Sequence, residues 1–234
     1  MPLEALIFDV DGTLAETEEL HRQAFNDTFA DRGPGWTWSR ADYRRLLLTT
    51  GGKERIARHM ADLGLDPDGL DIGALHRAKT DRYTALMAAG GLALRDGIAD
   101  LIDEARSTGL RLAIATTTSR PNVDALCAAT FGSPPEAVFA AIACGDEVAE
   151  KKPSPEIYDL ALRRLGLHLS QALAFEDSTN GLRSALAAGL PCIVTPSVYT
   201  AGDDFSGALA VVDSVADLGG IAGIGRLIRA AQPA

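Results

Sequence analysis

Hydrophobic residues along this chain follow two rhythms. An unbroken apolar run, Ala5-Leu6-Ile7-Phe8, stops at Asp9-Val10-Asp11-Gly12-Thr13. An apolar run bounded by turn chemistry predicts a buried strand. Between residues 16 and 89 nothing reads as a strand. Residues 16–30 carry Leu20, Ala24, Phe25 and Phe29 near helical spacing behind an acidic first turn, and further helical stretches follow at 39–48, 52–63 and 72–89. Gly33-Pro34-Gly35 breaks the first helix, Ser39 is the predicted N-cap of the second, and Asp66-Pro67-Asp68-Gly69 reads as a loop.

From residue 92 the rhythm changes to alternating helix and strand. A helix over 98–107 ends at Gly109. Strands at 110–115, 138–143, 173–175, 192–194 and 210–212 alternate with helices opening near Pro121, at Ser154-Pro155 with serine as cap, and at Ser178. Strands that are apolar throughout and separated by helices imply a parallel sheet covered on both faces. The expected class is α/β. Its parallel-sheet core comprises residues 1–15 and 90–234, interrupted after the first strand by a helical insert, 16–89, that ends at Gly90-Gly91. Only the last few residues read as loose.

Composition narrows the partners. At 234 residues the chain is long enough for one large domain or two small ones. A net charge of -10 and a pI near 4.8 argue against nucleic acid, whose affinity rests on clustered Lys and Arg. An anionic small molecule stays open, because a few local cations outweigh the global field at short range. Cys127, Cys144 and Cys192 form no CxxC pair and read as apolar fillers in a reducing compartment. No stretch approaches the ~20 apolar residues that cross a bilayer, and no basic region precedes the first apolar run. The expected location is the cytoplasm, with no membrane partner.

The candidate chemistry lies at strand ends. Residues two apart in a strand face the same way, so Asp9 and Asp11 emerge together. Like charges so close are costly unless a cation or shared proton relieves them. Three other polar groups fall at strand ends or adjoining loops: Thr116, Lys152 beside Pro153, and Glu176-Asp177. Ligands of open parallel sheets bind beyond these ends. Alone, a threonine there is more often a cap.

Together, Asp9-Val10-Asp11-Gly12-Thr13, the apolar strand ending in Thr116, Lys152-Pro153 and Glu176-Asp177-Ser178-Thr179-Asn180-Gly181 resemble the haloacid dehalogenase-like phosphohydrolases, in that family's order. The resemblance implies a Rossmann-like core, and the insert resembles the four-helix cap of one subgroup of that family. It makes Asp9 the nucleophile that forms an aspartyl-phosphate, and Asp11 the acid that then becomes a base. Thr116 would hydrogen-bond a phosphoryl oxygen, and Lys152 would offset negative charge. Asp9, the backbone carbonyl of Asp11, Glu176 and Asp177 would hold Mg²⁺, which favours hard oxygen ligands.

The runs Glu16-Thr17-Glu18-Glu19-Leu20-His21, Thr49-Thr50-Gly51-Gly52-Lys53-Glu54-Arg55-Ile56 and Ala115-Thr116-Thr117-Thr118-Ser119 resemble the CbbY-type sugar phosphatases, of the subgroup that includes beta-phosphoglucomutase. That resemblance implies dephosphorylation of xylulose 1,5-bisphosphate, a Rubisco inhibitor. Substrate contacts would come from Glu18, His21, Gly51, Gly52, Lys53, Arg55, Lys79 and Thr117, with Arg95 a further candidate for a distal phosphate. His21 matches the mutase histidine by position; its plain alternative is a surface histidine on an amphipathic helix. Trp36 and Trp38 are expected to pack the insert. Two other functions remain open, a mutase passing the phosphoryl group to a sugar hydroxyl and a non-catalytic sugar-phosphate sensor. Gly-Gly-Lys-Glu-Arg departs from the mutase-type loop, and the intact Asp9 and Asp11 argue against a sensor. A cap must swing to admit substrate, so a monomer is expected.

Overall fold

The computed structural model describes residues 2–32 and 34–231; Gly33 of the predicted break and residues 232–234 of the predicted loose end lie outside the described residues. In chain order the elements are β1 (Ala5–Phe8), α1 (Glu18–Arg32), α2 (Arg40–Leu46), α3 (Gly52–Asp62), α4 (Ile72–Ala88), α5 (Ile98–Ser107), β2 (Arg111–Ala115), α6 (Arg120–Phe131), β3 (Ala141–Ala143), α7 (Glu156–Leu165), β4 (Ala172–Glu176), α8 (Thr179–Ala187), β5 (Cys192–Val194), β6 (Ala210–Val211) and α9 (Gly220–Ala230). The six strands form one parallel sheet in the order β3-β2-β1-β4-β5-β6. This is the α/β parallel-sheet class expected from sequence.

Side-chain size alternates along the strands, and the alternation separates the two faces. Leu6, Phe8, Ile114 and Phe175 join one core with residues of α5, α6 and α9. Ala5, Ile7, Ala113, Ala115 and Ala174 face α7 and α8, where Ile157, Tyr158 and Leu182 are buried against them. Alanines on that second face let the helices approach closely. Register is shared across the centre: Phe8 stands level with Ile114 on one side and Phe175 on the other, and the Phe8 and Phe175 rings stack at 4.8 Å. The chain leaves β1 toward one edge and returns past it toward the other. The switch point, where such sheets bind ligands, is beyond Phe8 and Phe175.

The insert α1–α4 has an aromatic centre, with Trp38 fully buried against Phe25 and Phe29 at 4.7 and 4.8 Å. Ala24, Tyr83 and Met87 belong instead to the sheet's own core, which roots the insert on that core. Ser39 caps α2 as expected, in a capping box with Asp42.

Three local expectations change. Helix α7 opens at Glu156, with Pro155 rather than Ser154 in the cap position. The strand expected over 138–143 shortens to Ala141–Ala143, because a 3-10 turn at Pro135–Ala137 occupies the approach. Helix α9 was not expected: Gly220, Gly223 and Gly225 obscure the helical spacing of Ile221, Ile224 and Ile228. Among the described residues no helix is long and apolar enough to cross a membrane.

Candidate active site

Strand alternation sets the site's polarity. Asp9 follows Phe8 and Glu176 ends β4, so both fall on the alanine-lined face, toward α7. Lys152 reaches in from the loop before α7 and donates to Asp9 Oδ1 at 2.6 Å, Glu176 Oε1 at 2.6 Å and the Ala115 carbonyl at 2.9 Å. Its peptide bond to Pro153 is cis. Tyr158, from α7, donates to the same Glu176 oxygen at 2.6 Å. Glu176 Oε2 is buried without a partner among the described residues.

Charge balance here is unfavourable as it stands. One oxygen from each of Asp9, Glu176 and Asp177 lies within 4.8 Å of the others, and all three residues are buried. One ammonium faces three carboxylates. Burial, then Asp9 and Glu176, push the Asp177 carboxyl well above the usual carboxylate range. Burial likewise raises Asp9, with Lys152 pulling against it. Burial alone would lower Lys152, but the two carboxylates beside it keep its ammonium charged. A buried excess of negative charge, an unpartnered carboxylate oxygen and an all-oxygen donor set fit a hard divalent cation. Two glycines make the space: a Cβ at Gly12 would stand 2.2 Å from Asp177 Oδ2, and one at Gly181 would stand 1.8 Å from Glu176 Oε2.

Asp11 belongs to a different network. Thr17 donates to its Oδ1 at 2.6 Å, His21 Nε2 lies at 3.0 Å and Tyr83 donates at 3.3 Å, which leaves Oδ2 without a protein donor among the described residues. His21 is buried, not on the surface, and stacks on Tyr83 at 3.8 Å. Its Nδ1 accepts from Lys79, so its Nε2–H donates to Asp11. Burial and Lys79 keep this imidazole below its usual range, hence neutral. Burial raises Asp11, but its donors and Lys79 more than offset that and hold it below the usual carboxylate range. Lys79 sits over the Phe25 and Tyr83 rings at 4.8 and 4.7 Å, and burial lowers it to about 7.

A cavity of about 730 Å³ lies between the insert and the strand ends. Asp9, Asp11, Lys152 and Asp177 line it from the core side. From the insert it is lined by Glu18, His21, Gly51, Gly52, Lys53, Arg55 and Lys79. Tyr43 joins two of these, donating to Glu18 at 2.7 Å and accepting from Arg55 at 2.9 Å. Lys53 is half-exposed and faces Asp146 at 3.9 Å. Thr117 also lines the cavity; Thr116 is buried behind it, accepting the Thr118 amide at 3.2 Å.

Arg95 does not reach the cavity. Its guanidinium is spent on main-chain carbonyls of the core, which removes it from the distal-phosphate candidates. Trp38 packs the insert as expected, with Trp36 against the same cluster.

Sequence reading missed Thr17, Tyr83, Tyr158 and His76. The hydroxyl-bearing aromatics hide in apolar stripes; their signal is a phenol at a fully buried helical position, where its O–H needs a partner. His76 lines the cavity three residues before Lys79, a spacing that puts both on one side of α4. Burial and Lys79 lower it to about 3.

Residues 3–189 match the haloacid dehalogenase-like hydrolases, and the chain belongs to that family. It is a hydrolase built on the sheet and strand-end acids described above. Within the family its likeness is to CbbY. Protein CbbY of Cereibacter sphaeroides is 61% identical over 222 residues, covering 95% of this chain and 96% of that protein. Protein CbbY of Rhodobacter capsulatus is 62% identical over 208 residues, covering 89% and 92%. A crystal structure of a mutant CbbY from Rhodobacter sphaeroides in complex with xylulose-(1,5)bisphosphate superposes with a TM-score of 0.92 at 61% identity, covering 94% of this chain and 98% of that one.

Proposed function

We propose that this hydrolase is a Mg²⁺-dependent cytoplasmic phosphatase, acting as a monomer, that converts xylulose 1,5-bisphosphate to xylulose 5-phosphate. One observation carries the reading: a single cavity meets Asp9 and Lys152 on its core side and the buried cations Arg55 and Lys79 on its insert side. That charge arrangement suits a small molecule with a phosphate at each end. The bisphosphate bound by the related CbbY crystal structure has that form. Residues 16–89 act as a cap on a core of 1–15 and 90–234, and the insert cations read the phosphate that is not cleaved.

In the first half-reaction an Asp9 oxygen attacks phosphorus, the bond from phosphorus to the sugar oxygen breaks, and Asp11 in its protonated form, which the second half-reaction regenerates, gives its proton to that oxygen. In the second, water attacks phosphorus, Asp11 takes its proton, and phosphate leaves Asp9. The hydrogen bonds that hold Asp11 ionised prepare it for this second half. Thr116 accepts an amide with its oxygen, which leaves its O–H free to donate to a phosphoryl oxygen, and Lys152 supplies fixed positive charge. Mg²⁺ held by Asp9, the Asp11 carbonyl, Glu176 and Asp177 would neutralise charge on the phosphoryl group.

With Mg²⁺, the purified protein should release phosphate from xylulose 1,5-bisphosphate far faster than from sugar monophosphates or beta-glucose 1-phosphate. Asp9→Asn should abolish turnover, and trapped acyl-phosphate should map to Asp9. Interconversion of glucose phosphates without phosphate release would make the protein a mutase. Binding with no turnover and no trapped phosphate would make it a sensor.

A further inference from the structure

Arg95 lies on the return crossing from the insert, between α4 and α5. Its side chain is 14% exposed and pairs with Glu16 at 3.4 Å. The guanidinium donates to the Gly12 carbonyl, to the Thr195 carbonyl at 2.7 Å and to the Pro196 carbonyl at 2.8 Å. Its own amide donates to the Leu14 carbonyl at 2.8 Å. Three carbonyls on one guanidinium come from two loops that no strand pairing joins. Gly12 directly follows Asp11. Thr195 and Pro196 lead into Ser197–Thr200, where Thr200 Oγ1 donates to the Asp177 carbonyl at 2.6 Å. The two loops also close on each other, since a Cβ at Gly12 would meet Asp177 Oδ2 at 2.2 Å and Ser197 Cβ at 3.1 Å.

We infer that Arg95 is a positioning residue: its guanidinium clamps the loop carrying Asp9 and Asp11 to the loop that braces Asp177, and so sets the distance between the nucleophile and the acidic cluster. The same return crossing carries Gly90 and Gly91, both at positive φ, with nothing within 4 Å of where their Cβ atoms would be. Backbone freedom therefore sits upstream of the clamp, and the clamp keeps movement of the insert from reaching the reacting groups. Lysine at this position would keep the charge but not the planar fork that meets several carbonyls at once.

The inference rests on the phosphatase reading only for its readout. Kinetics are measured on xylulose 1,5-bisphosphate and on p-nitrophenyl phosphate, which has no distal phosphate, for the wild type, Arg95→Ala and Arg95→Lys. Loss of the clamp misplaces the acids by a fraction of their contact distance, and kcat should fall by about 10²-fold on both substrates. KM should stay within about twofold, because the groups that hold ground-state substrate are untouched. Millimolar guanidinium should restore part of kcat in Arg95→Ala and leave the wild type unchanged, a recovery that lost packing alone would not show. Wild-type kcat in a folded Arg95→Ala, or a loss confined to Tm or KM, overturns the clamp. If Arg95→Ala fails to fold, Arg95→Lys decides: an unchanged kcat overturns the proposal and a depressed kcat at wild-type KM supports it. Wild-type hydrolysis of p-nitrophenyl phosphate but not of the bisphosphate would refute the substrate assignment and leave the clamp to be judged on the same variants.

Discussion

Replacing Gly181 by alanine tests the geometry around Glu176 with a sign that simple helix chemistry gets wrong. Gly181 has ordinary helical backbone inside α8, so alanine should gain about 1 kcal/mol of helix propensity. Its Cβ, however, would stand 1.8 Å from Glu176 Oε2 and 2.1 Å from Cδ. The carboxylate has no easy retreat, because Lys152 and Tyr158 both hold Oε1 at 2.6 Å and the side chain is fully buried. Overpacking costs about 1–3 kcal/mol, and a lost hydrogen bond to a charged group about 1.5–3 kcal/mol. After the propensity gain the net loss is about 1.5–5 kcal/mol, or a Tm lower by about 3–20 °C for a chain of this size. Calorimetry with and without Mg²⁺ measures both consequences, since a displaced Glu176 should also remove the stabilisation by Mg²⁺. A Gly181→Ala protein as stable as the wild type, with an unchanged response to Mg²⁺, would refute the tight approach.

Two further outcomes follow from the buried charges. Mg²⁺ at a hundredfold excess over its Kd should stabilise the wild type by about 2.7 kcal/mol, and Asp177→Asn should lose most of that shift in a thermal melt. Lys79→Met should raise Tm at neutral pH while weakening turnover, because a buried amine is replaced by an apolar side chain of similar length. Lys79 falls from 10.5 to about 7 on folding, so between those pH values the unfolded chain holds a proton that the folded one lacks. Stability from this group therefore rises with pH across that window, by up to about 1.4 kcal/mol per unit, and the slope should be absent from Lys79→Met melts.

The strand-end acids were legible because each is local: an apolar run, then a carboxylate. Parallel-sheet geometry gathers such ends without further information, and Asp9, Glu176 and Asp177 meet as that geometry requires. What the chain does not spell out is which distant side chain completes each carboxylate. Tyr83 is 72 residues from Asp11, and its place in the apolar stripe of α4 looks the same whether or not its phenol has a partner. Arg95 shows the reverse error. A cation near the site suggested a phosphate, but its reach was already taken by backbone carbonyls. Helix α9 escaped because glycine signals a break by composition, while Gly223 is buried and its missing side chain admits the Leu218 carbonyl.

The common register of β1, β2 and β4 carries a consequence for how this protein tolerates change in length. Phe8, Ile114 and Phe175 stand at one level, so the residues that follow them leave the sheet in step. Deleting a single residue from any of these strands would turn its terminal group to the opposite face, and in β1 it would put Val10 where Asp9 is needed. The turns at 34–38 and 64–71, which do not line the cavity, carry no such parity. Length variation should therefore be silent in the insert's outer turns and fatal within the three central strands. The sheet acts as a vernier, and the chemistry is read at only one of its settings.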